Sequence, residues 1–488
     1  MRWKQPFAAA ALMAALAGCV DDVPTAPGPR DLQPAEPSLA MNATSSRVVG
    51  YFPYWYKGSL DAIPYSKFTH LVYAFADPTP TGGVILSGDS LKLKGVTQRA
   101  HAAGVPVLIS FGGWTGSADS DFEPMAADPT YRAAFVNNVV TFVTHYGLDG
   151  VDIDWEFPNT AAESASFSAL MSELGSAMRA RGKLLTAAVA SSSYYGKWIG
   201  SDVFANVDFL FLMAYAHNTV PHSSFAHAVE SLDYWRDARG LTQGKTVLGV
   251  PFYGKNASGG NLDYRELVRL DPQAPSKDES NGYHYNGLAT IKSKTTLSLQ
   301  RGSGIGIWEI TQDTALASIS LLEAIHQAMS SPVPPYDYTR VVYADALNGW
   351  GDWSWNVTVN FAGTSPVYQG SNAMSATYTA AWGGVQLNYG SGFSAANLAR
   401  LEFYAHGGTA GGQNVRVYLV DSNGTSLTKV PLNSYVDGGS LAAGAWRKVS
   451  IPLSAMGVGA NPIQRLVFQD GAGGVQPTFH LDYIRFVP

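Results

Sequence analysis

The chain has 488 residues, of which 46% are hydrophobic and only 14% charged, with a formal net charge of -6. That composition can fill a large core, and at about 150 residues per domain the length leaves room for more than one folded unit. It excludes a basic nucleic-acid binder that works by neutralising phosphates, and no run of like charge marks an interaction tail. Aromatic residues make up 12%, including 12 Trp and 25 Tyr. Their flat faces are what sugar rings stack on, although most such residues pack cores.

The first element is a leader. Arg2 and Lys4 form a short positive region ahead of the apolar run FAAAALMAALAG, which is too short to be a permanent membrane helix. It ends in Leu16-Ala17-Gly18-Cys19, which resembles the lipobox of bacterial lipoproteins, and Cys19 is the only cysteine in the chain. The mature fold therefore has no thiol pair for a disulfide. Residues 1–19 are read as a lipoprotein signal, which implies export and a membrane-anchored place in the cell envelope or on the cell surface, through lipid on Cys19. Residues 20–46 are Pro-, Ala-, Asp- and Ser-rich and read as a flexible tether.

Short β-type runs then alternate with amphipathic stretches such as AESASFSALMSELGSAMRARG. The runs are RVVGYFPYW, FTHLVYAFA, VPVLISFGGW, GLDGVDIDWEFP, LLTAAVASSS, VDFLFLMAYAHN, KTVLGVPFYGK and GIGIWEIT. Eight strands with intervening helices over residues 47–331 predict an α/β fold, a (β/α)8 TIM barrel. Such barrels carry their chemistry at the strand C-terminal ends, where Tyr51, Ser110, Trp114, Glu156, Tyr215 and Trp308 fall. A stiff Pro-rich linker follows at 332–338. Beyond it, over 339–488, β-type runs alternate with Gly/Asn/Asp turns and helical periodicity fades. This predicts an all-β jelly-roll sandwich.

The fourth run, Gly147–Pro158, carries Asp149, Asp152, Asp154 and Glu156 among apolar neighbours. Side chains alternate along a strand, so Asp152, Asp154 and Glu156 share one side while Val151, Ile153 and Trp155 take the other. In a barrel the second set meets the helices and the acidic set faces the interior and its mouth. Like charges roughly 6.5–7 Å apart at low dielectric predict shared protons and at least one raised pKa. A metal site competes with a catalytic one. The lack of His on this strand weakens it, but Ca2+ or Mg2+ stays open. A raised carboxylic acid beside an ionised carboxylate suits glycoside hydrolysis. Two carboxylates on one strand stand side by side and do not flank a scissile bond. They fit the substrate-assisted route, in which the sugar's own 2-acetamido oxygen attacks. Glu156 would protonate the leaving oxygen, and Asp154 would orient the acetamido group.

The stretch DGVDIDWE, Asp149 to Glu156, resembles the D-x-x-D-x-D-x-E signature of glycoside hydrolase family 18, the chitinase family. SFGG at Ser110–Gly113, MAY at Met213–Tyr215 and Trp308 join it in the family's order. The resemblance covers residues 47–330. It implies Glu156 as general acid/base, Asp154 as the mobile acetamido-orienting carboxylate, Asp152 as its proton-sharing partner, and Tyr215 as donor to the acetamido carbonyl. Tyr51 and Ser110 would support Asp152. Trp308 would floor the -1 sugar site, Trp114 would stack on a neighbouring sugar, and Phe75, Gly113 and Met213 would line the site. Asp149 is read as structural. Family members with M-x-Y-D carry an acid where this chain has Ala216, followed by His217 and Asn218. The missing carboxylate bears on the -1 sugar contacts and favours a substrate other than plain chitin. The stretch Lys255–Ser303 looks too small for the whole α+β subdomain of many exo-acting relatives, which predicts a shallower cleft and endo-type cleavage.

The resemblance implies hydrolysis, with retention, of β-1,4 bonds in chitin or another N-acetylglucosamine-containing glycan, without a cofactor. An endo-β-N-acetylglucosaminidase on N-glycans or peptidoglycan is the alternative; a chitin-binding lectin is the further one. A monomer is expected, with no nucleic-acid partner. The terminal domain resembles carbohydrate-binding jelly rolls, with Trp350, Trp353, Trp355 and Trp382 as candidate sugar-stacking residues and Asp345 and Asp482 as candidate ligands of a structural Ca2+. Trp353 and Trp355 face one side of a sheet, which is either core or binding face.

Overall fold

The structure is a computed structural model and describes residues 46–114, 121–216 and 220–488. The leader with Cys19, most of the tether, and His217 and Asn218 lie outside the described residues.

Eight parallel strands form the barrel: β1 Arg47–Pro53, β2 His70–Pro78, β3 Val107–Gly112, β4 Gly150–Asp154, β5 Leu184–Ala190, β6 Phe209–Met213, β7 Thr246–Pro251 and β8 Gly304–Trp308. Each pairs with its sequence neighbour, and β8 pairs β1 to close the ring. The strands are almost wholly buried, as expected where helices cover the outside and side chains fill the inside. Val151, Ile153 and Trp155 join the large core between strands and helices, and Trp155 stacks on Phe122 with ring planes 8° apart. A separate interior cluster contains Tyr51, Phe75, Phe211 and Met213, with Tyr215 and Trp308 packed on it.

Local signals deliver the fourth strand to its place. Helix Pro129–Tyr146 starts on Asp128, whose carboxylate accepts the Thr130 and Tyr131 amides, and has Pro at its first position. It ends at Gly147, which takes the left-handed φ of 67° that lets the chain turn back into β4. After the strand, Thr160 caps helix Ala161–Arg179: its hydroxyl accepts the Glu163 amide, and Glu163 reaches back to the Asn159 amide.

The segment between β7 and β8, expected to be too small for the whole α+β subdomain, carries short elements of both kinds. Tyr253–Asn256, Asn261–Asp263, Glu279–Ser280 and Tyr283–His284 form a four-stranded antiparallel sheet beside helix Tyr264–Leu270. Strands of two to four residues are enough to build a reduced α+β wall there, a size that a search for five-residue runs passes over.

The C-terminal region holds two mostly antiparallel sheets. The first runs β10 Val357–Gly363, β11 Ala373–Tyr378, β17 Phe479–Val487, β13 Arg400–His406, β15 Trp446–Pro452, with β9 Arg340–Tyr343 paired to β17. The second centres on β12 Gly384–Phe393, β16 Ile463–Asp470 and β14 Val415–Asp421. Their facing sides enclose one apolar core. Barrel and sandwich belong to one compact unit, Ala43–Pro488. Asp233 of the barrel, fully buried, pairs with Arg301 of the barrel and with Arg340 of β9, each at 2.7 Å.

Candidate active site

Register puts the polar interior together. Ser110 on β3 pairs with Asp152 on β4, and Asp152 pairs with Thr186 on β5, so three side chains meet at one level inside the ring. Asp152 is fully buried and accepts three hydroxyls: Tyr51 at 3.0 Å and Ser110 at 2.8 Å on Oδ2, Thr186 at 2.6 Å on Oδ1. Burial raises its pKa, and the three hydroxyls pull it back. One turn of the pleat higher, Asp154 is also buried, and its Oδ1 has no hydrogen-bond partner. Burial first, then the charges of Glu156 and Asp152, push it well above the usual carboxylate range. The surroundings of Asp154 therefore favour its protonated form.

Glu156 lies two residues past the end of β4, half-buried at the mouth. The predicted strand was longer; the regular ladder stops at Asp154, two residues short of Glu156. Asp149 precedes β4 at the opposite end. It accepts the Val107 amide at 2.8 Å and faces His101 at 2.7 Å, a structural post as expected.

Tyr215 follows β6 and packs on the interior cluster. Burial, then Tyr253 and the three acids, raise its pKa, so it stays a neutral O–H donor. Trp308 closes the site from β8. It stacks on Phe75 at 5.6 Å and meets the edge of Tyr51 at 5.7 Å. A Cβ on Gly113 would stand 2.5 Å from the Phe75 ring, and its φ is 86°, so only glycine fits there. Met213 is buried under this cluster. Trp114, at 71% exposure, stands out at the rim. The structure thus brings together Tyr51, Phe75, Ser110, Gly113, Asp152, Asp154, Met213, Tyr215 and Trp308, with Glu156 and Trp114 at the mouth.

Sequence reading missed three residues. Thr186 is the strongest donor to Asp152, and it is the one polar residue in LLTAAVA. Tyr253 sits just past β7, 6.4 Å from the Tyr215 ring, a position the strand-end rule could have flagged. Trp55, past β1, is half-exposed with its ring 6.3 Å from Trp308.

In the sandwich, Trp350 is corrected as a sugar-stacking candidate: it is buried in the core against Phe486. Trp353 and Trp355 are on the other side. Trp355 packs with Tyr418, Val420 and Val467 in a cluster apart from the core, and donates to the Trp382 carbonyl at 2.9 Å. Trp353 and Trp382 are 53% and 59% exposed. Asp345 accepts the Ser371 and Asn372 amides, and Asp482 those of Tyr368, Gln369 and Tyr483. Among the described residues no three His, Cys, Asp or Glu side chains gather as a metal group.

A closed eight-strand parallel barrel with an acidic strand end opening on an aromatic-lined mouth defines a family 18-type glycosidase fold. The sequence description of the glycosyl hydrolases family 18 matches residues 47–313, and the chain belongs to that family. Among curated proteins, a chitinase-like effector of Moniliophthora roreri is 31% identical over 44% of this chain and 60% of its own length. A class V chitinase of Arabidopsis thaliana is 34% identical over 44% and 64%. The chain thus spans less than two thirds of these relatives. Among solved structures, the chitinase ChiB from the chitin utilization locus of Flavobacterium johnsoniae is 33% identical, with a TM-score of 0.52 over 58% of this chain and 94% of that one. A chitinase-like agglutinin of Robinia pseudoacacia is 25% identical, with a TM-score of 0.52 over 57% and 98%.

Proposed function

We propose that the barrel hydrolyses β-1,4 linkages between N-acetylglucosamine units, in chitin or its oligomers, with retention and by substrate assistance. The observation that carries this is the placement of a buried Asp154, whose surroundings favour its protonated form, next to Glu156 at one strand end, beside the phenol of Tyr215. Glu156 protonates the glycosidic oxygen. The 2-acetamido oxygen attacks the anomeric carbon from the other face, and Tyr215 and Asp154 hydrogen-bond and stabilise the oxazolinium that forms. Water then opens that ring, with Glu156 taking its proton. No metal or organic cofactor enters these steps. The reading includes endo-type cleavage.

Ala216 in place of the family acid favours a second reading, an endo-β-N-acetylglucosaminidase on N-glycans or peptidoglycan. Incubating the protein with N-acetylglucosamine hexamer, peptidoglycan and a high-mannose glycopeptide separates the two. Dimers and trimers from the hexamer alone are expected, with inhibition by thiazoline analogues of the oxazolinium. Release only from either other substrate moves the assignment to the second reading. Binding without turnover on all three would make the chain a lectin, in line with the agglutinin relative.

The sandwich is proposed as a carbohydrate-binding module whose face carries Trp353, Trp355 and Trp382. The leader is proposed to place the protein, as a monomer, on a bacterial membrane through lipid on Cys19. Cys19→Ser should then move the protein from the membrane to the soluble fraction on sedimentation; unchanged fractionation would remove the anchor.

A further inference from the structure

We propose that Lys294 is a positioning residue for Tyr215, acting through Ser223 on the carbonyl of Ala214. The inference rests on the reading of Tyr215 as the phenol that meets substrate, and adds what holds it in place.

Lys294 projects from helix Leu288–Arg301 and is fully buried. Its ammonium donates to the Ser223 carbonyl at 2.7 Å, to Ser223 Oγ at 2.8 Å and to Asn286 Oδ1 at 2.8 Å. Asn286 Nδ2 donates to the same Ser223 carbonyl at 2.7 Å. With its lone pairs engaged by the ammonium, Ser223 Oγ turns its own proton to the Ala214 carbonyl at 2.8 Å. The neighbouring His222 accepts the Ala216 amide on Nδ1 at 3.2 Å. Two successive residues thus tie the peptide groups on both flanks of Tyr215. The tie matters because Ala216 has a φ of 56°, a left-handed conformation that alanine seldom keeps without outside support. An apolar side chain of similar length would fill the Lys294 slot without the penalty of a buried charge. It could not orient the Ser223 hydroxyl.

The three donors depend on the ammonium form. Burial brings Lys294 down to about 7, while Asp278, on the bend before Glu279–Ser280, draws it back up. The other titratable group beside this cluster is His222, held near 4 by burial, then by the charges of Lys294 and Lys255. His222 is neutral throughout the working range, so Lys294 is the member that changes charge near neutrality. Its loss of a proton leaves two donors for three acceptors. Stability runs the other way. The folded pKa lies below the ordinary value of 10.5, so between about 7 and 10.5 the unfolded chain binds more protons. The contribution of this group is full above that window and lost as pH falls through about 7. Alkaline pH therefore loosens Tyr215 while it favours the fold, which a merely structural lysine would not do.

The test compares the full chain with Lys294→Met, Ser223→Ala and the double variant, reading kcat and KM on N-acetylglucosamine hexamer from pH 5 to 9 together with denaturant unfolding. Each single variant should lower kcat about tenfold with KM changed less than about twofold. The double variant should be no worse than the poorer single. A step in kcat near pH 7 should vanish in Lys294→Met, whose stability at pH 7 is not reduced. Unchanged kcat, additive losses, or activity falling only in step with stability would each overturn the proposal. A second readout needs no turnover: the 13C-labelled ring of Tyr215, assigned with Tyr215→Phe, should shift near pH 7 in the unsubstituted chain and not in Lys294→Met. A shift without hexamer cleavage upholds the coupling and sinks the chitinase reading. Cleavage without the shift does the reverse.

Discussion

Glu156→Gln is expected to lower turnover of N-acetylglucosamine hexamer by about 10³-fold while oligosaccharide binding persists. General acid catalysis by a placed carboxyl contributes typically about 10² to 10⁴. The amide keeps the shape of the acid but has no proton to give to a leaving alkoxide. The surroundings should not rearrange, because Asp152 is held by Tyr51, Ser110 and Thr186, none of which touches Glu156 through these bonds. Removing the Glu156 charge also removes the second cause of the raised pKa at Asp154. Asp154 should therefore titrate lower in the variant, which a carboxyl-labelled NMR titration would read. Retention of more than a tenth of wild-type turnover would end the assignment of Glu156 as the acid.

The largest effect on stability is expected at Asp233. Asp233→Ala should cost about 3–5 kcal/mol in denaturant unfolding, the range for leaving a buried partner charge uncompensated. Asp233 Oδ1 faces Arg301 and Oδ2 faces Arg340, and all three side chains are largely removed from water. Arg301 would keep Asp237 at 2.6 Å and the Tyr336 ring at 4.7 Å. Arg340 has the Phe393 ring at 4.8 Å but loses the carboxylate it faces. Pairing the substitution with Arg340→Met should recover part of the loss, since an apolar pair no longer buries an unmatched charge. The exposed pair Arg99–Asp61 serves as control, and Asp61→Ala should change little. An equal response at the two sites would mean that burial does not set the worth of the Asp233 contacts.

The barrel was legible because parallel strands buried on both faces leave near-continuous apolar runs, and because three acids in alternation stand out against them. What stayed hidden depends on register between strands far apart in sequence. Thr186 gains its meaning only when β5 slides beside β4 so that it meets Asp152. Asp233 and Arg340 are drawn together by the docking of a sandwich strand on a barrel helix, which no local pattern records. Period-2 alternation put Trp353 and Trp355 on one side of a sheet but could not say which side faced the core. Trp350 fell to the inside and the other two to the outside. The wall between β7 and β8 escaped because its strands are too short for periodicity to register.

The hydroxyl cage around Asp152 has a consequence for how the site responds when charge moves. Turning Asp152 would forfeit three bonds to a carboxylate, each worth about 1.5–3 kcal/mol. Asp154 gives up nothing at Oδ1 by turning, because nothing holds that oxygen. The unheld carboxyl oxygen thus sits beside a carboxylate held by three hydroxyls. On the proposed mechanism, the dipoles around Asp152 are set before the substrate arrives, and one torsion at Asp154 would turn its carboxyl from the interior toward the mouth.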